Sequence, residues 1–258
     1  MATHAPGTPI WVDLGTPDLP GATAFYNELF GWTATVAKEP EAGGYTTFNR
    51  TGKPVAAAGP LQNKNQPPAW TTYVLTDDSD KTAARVKKAG GQVVVAPMDV
   101  MKYGRMAVFV DPAGAVFATW EPGTMIGAEL FNEPGSLTWN ELTTRDPEGS
   151  KAFYSKVFEW KPRDEPMGSV TYTRWLLDGA PVGGMMPMEG DLWPADLPPH
   201  WMVYFAVEDV DAVAETADKL GGSVSVPPTD TAAGRFAVLG DPAGASFSVI
   251  ERNPHFQG

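Results

Sequence analysis

The stretch WVDLGTPDLPGATAFYNELFGW at residues 11–32 returns as WNELTTRDPEGSKAFYSKVFEW at residues 139–160, with 10 identities in 22 positions. Chance gives about one match in 20 positions, so this is an internal repeat and has to be settled before anything else. A second pair follows at nearly the same offset. GRMAVFVDPAGAVFATWE at 104–121 matches GRFAVLGDPAGASFSVIE at 234–251 in 11 of 18 positions. The 258-residue chain is therefore a tandem duplication with a period near 128. That period is too long for a solenoid, so each half is expected to be a compact unit with its own core. The halves are placed at residues 1–125 and 136–258. The junction TMIGAELFNEPG, residues 124–135, lacks the Gly/Ser bias of a flexible tether, so the halves are expected to pack together.

Working outward, Ile10–Leu14 reads as a strand and residues 18–30 as a helix. Leu19, Ala22, Phe25, Tyr26, Leu29 and Phe30 recur at helical spacing, Asp18 is a cap, and Gly31 a stop. Three short β-rich runs follow, at Trp32–Ala37, Tyr45–Asn49 and Val55–Gly59. The order then repeats: a strand at Trp70–Leu75, a helix at Asp78–Ala89, strands at Gln92–Ala96, Met106–Val110 and Ala115–Trp120. Asp111 and Asp241 open DPAGA turns between the last two strands. The second half follows, with helices near 146–158 and 209–220. Four βαβββ modules result. The fold class is α+β, with each half forming a curved mixed sheet around a cavity, helices on one face and the other face available for chemistry.

Composition removes several functions. A net charge of −12 disfavours nucleic acid and anionic membrane surfaces, which need a basic face. No run approaches a membrane span, and the opening MATHAPGTPIWVDL lacks the basic and apolar segments of a signal peptide. With zero cysteines there is no disulfide, thiolate nucleophile or Cys-type zinc site, which fits a cytoplasmic protein. Only His4, His200 and His255 supply imidazole. The Lys81–Lys88 stretch is a solvated helix face. Phosphate loops, Ser-His-Asp patterns and HExxH are lacking.

Four βαβββ modules, FY inside the first helix of each half and DPAGA before each last strand resemble the vicinal oxygen chelate superfamily, the glyoxalase / bleomycin-resistance / extradiol-dioxygenase group. The WVDL and WNEL openings, with GRFAVLGDPAGA near the end, further resemble tandem actinobacterial two-domain proteins, some of them secreted mycobacterial antigens and some accessory proteins of aromatic polyketide tailoring. The superfamily resemblance implies a divalent metal held by His, Glu or Gln on opening and closing strands. Carried over position by position, those slots fall on Trp11, Thr71 and Ala118, and on Trp139, Met202 and Ser248. An indole, a methyl group and a thioether do not bind a hard cation, so no metal cofactor is expected. A shift of two residues would bring Asp13 and Glu141 into the slots, with His200 two positions before Met202, and would still lack a third ligand.

Strand alternation sets Trp11 with Asp13, Trp139 with Glu141, Thr71 with Tyr73, Met202 with Tyr204, Ala118 with Trp120, and Ser248 with Ile250. Met186 lies near the second set. These are aromatic walls with few polar groups, suited to a flat apolar or aromatic small molecule. Trp11 and Trp139 read equally as core, and Trp70 and Trp201 as packing residues. Asp13 and Glu141 are acids at equivalent positions in apolar strands. Three readings stand: an ion pair with the recurring Arg105 or Arg235, an acceptor for a ligand hydroxyl, or a general base in an apolar cavity. The arginines also suit an anionic ligand group. The expected function is metal-independent binding of a hydrophobic or aromatic ligand by a monomer, in resistance, sequestration or secondary-metabolite tailoring. The alternative is an enzyme: a metal-dependent glyoxalase, isomerase or dioxygenase, or a metal-free tailoring enzyme with Asp13 or Glu141 as base.

Overall fold

The computed structural model describes residues 4–63, 65–190 and 193–253. The first repeat runs β1 (Pro9–Thr16), α1 (Leu19–Phe30), β2 (Thr33–Val36), β3 (Thr46–Arg50), β4 (Lys53–Pro60), β5 (Ala69–Leu75), α2 (Ser79–Lys88), β6 (Gln92–Val100), β7 (Gly104–Val110) and β8 (Val116–Pro122). The second runs β9 (Leu137–Thr144), α3 (Pro147–Phe158), β10 (Lys161–Met167), β11 (Val170–Leu177), β12 (Ala180–Pro187), β13 (His200–Ala206), α4 (Val210–Lys219), β14 (Ser223–Thr231), β15 (Gly234–Gly240) and β16 (Ser246–Arg252). Each repeat forms one eight-stranded mixed sheet, ordered β2-β3-β4-β1-β5-β8-β7-β6 and β10-β11-β12-β9-β13-β16-β15-β14. This is the α+β, four-module architecture read from the repeat.

An aspartate starts each of the four α-helices. Asp18, Asp78, Asp146 and Asp209 accept the backbone N–H of Gly21, Lys81, Gly149 and Ala212 at 2.9–3.0 Å. Each cap satisfies a donor that the first helical turn would otherwise leave without a partner.

The cores, however, are not confined to single repeats. The chain divides into two compact units. One comprises the residues up to Ile10 with Thr72–Ile126 and Trp139–Trp201; the other comprises Trp11–Thr71, Gly127–Thr138 and the residues from Met202 on. In the first, Val86, Phe109 and Phe117 pack with Phe153, Tyr154, Trp160 and Trp201. In the second, Phe25, Tyr26, Trp32 and Trp70 pack with Phe205, Val210, Phe247 and Val249. Helix α2 contacts α3, and α1 contacts α4. Periodicity shows which helix face is apolar, but not which partner covers it. Here the partner comes from the other repeat.

The motifs that mark the repeat make this seam. Asp111 Oδ1 accepts the N–H groups of Ala113, Gly114 and Ala115 at 2.8–2.9 Å, which closes the DPAGA turn. Its Oδ2 accepts the Tyr154 hydroxyl at 3.0 Å, and that hydroxyl accepts Trp201 Nε1–H at 2.9 Å. The mirror set is Trp70 to Tyr26 to Asp241, at 3.0 and 3.2 Å. The DPAGA of one repeat thus clasps the FY helix of the other. Burial, with the aspartate charge adding to it, pushes both phenols well above the usual tyrosine range, so they stay protonated donors. Trp70 and Trp201 are packing residues, as read. Trp32 and Trp160 close the seam at its ends, donating to Gly135 O at 2.7 Å and Gly7 O at 2.8 Å. Both glycines hold a left-handed backbone, φ 81° and 95°, which a side chain would strain.

Candidate functional site

Val12 and Leu14 point into one core and Leu142 into the other. By alternation, Trp11 with Asp13 and Trp139 with Glu141 occupy the face turned away from the helices. On each of these faces a tyrosine completes a relay, Tyr45 just ahead of β3 and Tyr172 within β11. Trp11 Nε1–H donates to Tyr45 Oη at 3.1 Å, and the Tyr45 hydroxyl donates to Asp13 Oδ2 at 3.2 Å. Trp139 Nε1–H donates to Tyr172 Oη at 3.0 Å, and Tyr172 donates to Glu141 Oε2 at 2.8 Å. Burial first, and the Asp13 charge second, raise the Tyr45 phenol well above its ordinary range, so it remains a proton donor to the acid.

Sequence reading missed Tyr45 and Tyr172. A signal exists in the sequence: YT followed by G-x-PV recurs at 45–55 and 172–182. The residue beside each acid on the adjacent strand is small, Ala57 opposite Asp13 and Gly184 opposite Glu141. A β-carbon on Gly184 would overlap Tyr172 Oη and lie 2.9 Å from Trp139 Nε1, so the phenol rests directly over the glycine.

Tyr73 neighbours Ala118 across β5 and β8, and Tyr204 neighbours Ser248 across β13 and β16. Trp120 is buried with its Nε1–H on Met125 O at 2.8 Å. Tyr204 also meets the Phe236 ring, 6.5 Å between centroids. Met202 and Ser248 are buried, and the Ser248 hydroxyl has no hydrogen-bond partner among the described residues. Thr71 and Met186 are half-buried.

The recurring arginines are engaged elsewhere. Arg105 meets Asp80 at 2.8 Å, Asp99 at 3.0 Å and Glu121 at 3.8 Å. Arg235 meets Asp211 at 2.6 Å and Asp230 at 2.9 Å. Each arginine thus pairs with acids of its own hairpin and of the adjacent helix, while Asp13 and Glu141 each accept a tyrosine hydroxyl. An open groove of about 680 Å³ between α1 and the Asp241-Pro242-Ala243 turn includes none of the candidate residues.

The donor set does not fit the metal that the fold implies. At the expected slots the two indoles carry their N–H toward tyrosines, Ala118 offers no donor atom, and Met202 offers a soft thioether. Among the described residues, no three His, Asp or Glu side chains come together as a metal cluster. Burial lowers the His200 pKa against a 2.8 Å contact to Pro198 O that raises it. His255 lies outside the described residues.

The profile of the Glyoxalase/Bleomycin resistance protein/Dioxygenase superfamily matches residues 9–119 and 136–249. The chain belongs to this superfamily. Within the superfamily it is 46% identical, over 97% of its length and 95% of the relative, to the anthracycline biosynthesis protein DnrV of Streptomyces peucetius. It is 45% identical, with the same coverage, to the anthracycline biosynthesis protein DauV of Streptomyces sp. strain C5. The Mn(II)-bound glyoxalase from Novosphingobium aromaticivorans superposes with a TM-score of 0.65 over 98% of this chain and 87% of its own, at 18% identity, which shows a shared fold. The described residues contain no helix long and apolar enough to cross a membrane.

Proposed function

We propose that this superfamily member binds a flat, hydrophobic or aromatic small molecule without a metal, as a cytoplasmic monomer. The role is sequestration or an accessory step in secondary-metabolite tailoring. One observation carries the reading: where metal ligands would stand, each repeat instead has a Trp–Tyr–acid relay whose polar atoms are already tied to one another. Such a wall offers ring planes for stacking and a fixed carboxylate for a ligand hydroxyl. The two anthracycline biosynthesis relatives favour a polycyclic aromatic polyketide as the ligand class. All four modules come from one chain, which supports the monomer.

With nine tryptophans in the chain, Trp11 and Trp139 among them on the proposed wall, a hydroxyanthraquinone such as alizarin is expected to quench intrinsic fluorescence saturably. The titration should be unchanged by excess EDTA. Loss of quenching on chelation, restored by a stoichiometric divalent ion, would sink the metal-free reading.

The burial of Glu141, only 9% exposed, favours a second reading, a metal-free enzyme in which Glu141, or Asp13 in the first repeat, is the base. In that case Glu141→Gln loses turnover while keeping affinity, whereas a binding role loses affinity.

A further inference from the structure

Resting on the small-molecule reading above, we infer that the first repeat carries a stacking platform for the unsubstituted ring of a fused aromatic ligand. The thioethers of Met98 and Met106 are its surface and the Trp120 indole is its base. Phe109 and Phe117 belong to the core that α2 covers. Alternation therefore turns Met106 and Trp120 to the helix-free face. Met98 stands directly opposite Met106, Met106 opposite Trp120, and Trp120 beside Leu75. The row crosses β6, β7, β8 and β5 without a charged group or a hydroxyl. All four residues lie in the same compact unit.

The base is held from two sides. Trp120 Nε1–H donates to Met125 O at 2.8 Å. A β-carbon on Gly104 would lie 2.6 Å from Trp120 Cζ2, so the indole rests against the hairpin backbone. Exposure rises along the row toward β6, the edge strand. Trp120 is 6% exposed, Met106 is half-buried and Met98 is 49% exposed.

The fold does not require thioethers here. The matching row of the second repeat, across β14, β15, β16 and β13, reads Thr229, Phe236, Ile250 and Ala206. One row further along, Ala118 beside Tyr73 is matched by Ser248 beside Tyr204. The second repeat thus builds the same strand order with hydroxyls where the first has a methionine and an alanine. A long apolar side chain left open to water gains its burial when a ligand ring covers it. Thioethers are polarisable, meet aromatic rings favourably and adapt to their outline. A ring edge bearing a hydroxyl would lose its water there with no strong partner in exchange. The platform therefore selects a bare ring.

The test uses two neutral isomers in excess EDTA: 2,3-dihydroxynaphthalene, which has one bare ring, and 2,6-dihydroxynaphthalene, which has none. Isothermal titration of the full-length protein should show the 2,3-isomer bound at least about 10-fold more tightly. Met98→Thr copies the second repeat at an exposed position, so it should fold, and it should bring the two affinities within about 3-fold. Met98→Leu should keep most of the preference, and Thr229→Ser should change neither affinity. With 13C-methyl methionine, the ring current of the bound 2,3-isomer should move the Met98 and Met106 methyl resonances upfield. The methyl of Met167, 38% exposed on β10, should stay in place. Equal wild-type affinities, a preference untouched by Met98→Thr, or Met98 and Met106 methyls that do not move while the isomer binds overturns the inference. So does binding of neither isomer. In each case the alizarin titration decides the small-molecule reading separately, and only its failure removes that reading as well.

Discussion

Asp111→Ala is expected to destabilise the protein by about 4 kcal/mol. The aspartate is 2% exposed and accepts three backbone N–H groups and the Tyr154 hydroxyl. Each buried donor left without an acceptor costs about 1–3 kcal/mol, and water entering the turn offsets part of the sum. For a chain of this size the melting temperature should fall on the order of 10 °C. Asp111→Asn is the informative comparison. It keeps Oδ1 for the turn and withdraws only the acceptor for the phenol, so its cost should be about 1–2 kcal/mol. Equilibrium urea unfolding of both variants checks this, and an alanine variant within 1 kcal/mol of wild type would refute the seam's importance.

The same residue carries a pH signature. Burial raises the Asp111 pKa against the hydrogen bonds that lower it. A folded-state pKa above the unfolded value favours the protonated form. Its stabilisation is therefore full below the unfolded value, about 3.9 for an aspartate, and is lost as pH rises through the folded one. Wild type should thus gain on the non-titrating asparagine variant as pH falls from 7. A gap that shrinks on acidification would contradict the burial argument.

Gly184→Ala should reduce ligand affinity by about 10-fold or more while costing about 1–3 kcal/mol in stability. Its new methyl would occupy the space of the Tyr172 hydroxyl, so the phenol must swing away from Glu141 and Trp139. The carboxylate then loses a charge-assisted hydrogen bond and its fixed orientation. The first repeat supplies the control. Ala57→Gly, at the matching position, removes a methyl that its tyrosine already tolerates and should leave binding nearly unchanged. Fluorescence titration of the two variants with alizarin separates them. Wild-type affinity in Gly184→Ala would show that the second relay plays no part in binding.

What could be read beforehand follows the range of the forces involved. Helices, caps and turns depend on neighbours within four residues, so Asp18, Asp78 and DPAGA were legible, and two copies of each module reinforced the reading. The acids were legible too, because an Asp13 or Glu141 breaks an apolar strand. Their tyrosines were not, since β3 meets β1 only through β4, and β11 meets β9 only through β12. Arg105 and Arg235 were read as candidates for the acids or a ligand. Their actual partners come from hairpin register, Asp99 opposite Arg105 and Asp230 opposite Arg235, and from Asp80 and Asp211 in the first turn of the adjacent helix. The exchange of helix partners was illegible for a related reason. An apolar stripe is equally satisfied by either repeat, and the Tyr–Asp clasp that decides the matter joins residues 215 apart in one case and 43 in the other.

That clasp also bears on what is gained by having both repeats in one polypeptide. Cut within residues 127–135, the protein would give two fragments, each holding one half of both cores and one end of both clasps. Neither fragment could close a core alone, yet the pair should reassociate by complementation. In that light the peptide linking the repeats chiefly keeps their mutual concentration high. Joining the repeats makes the closing of both cores a unimolecular event.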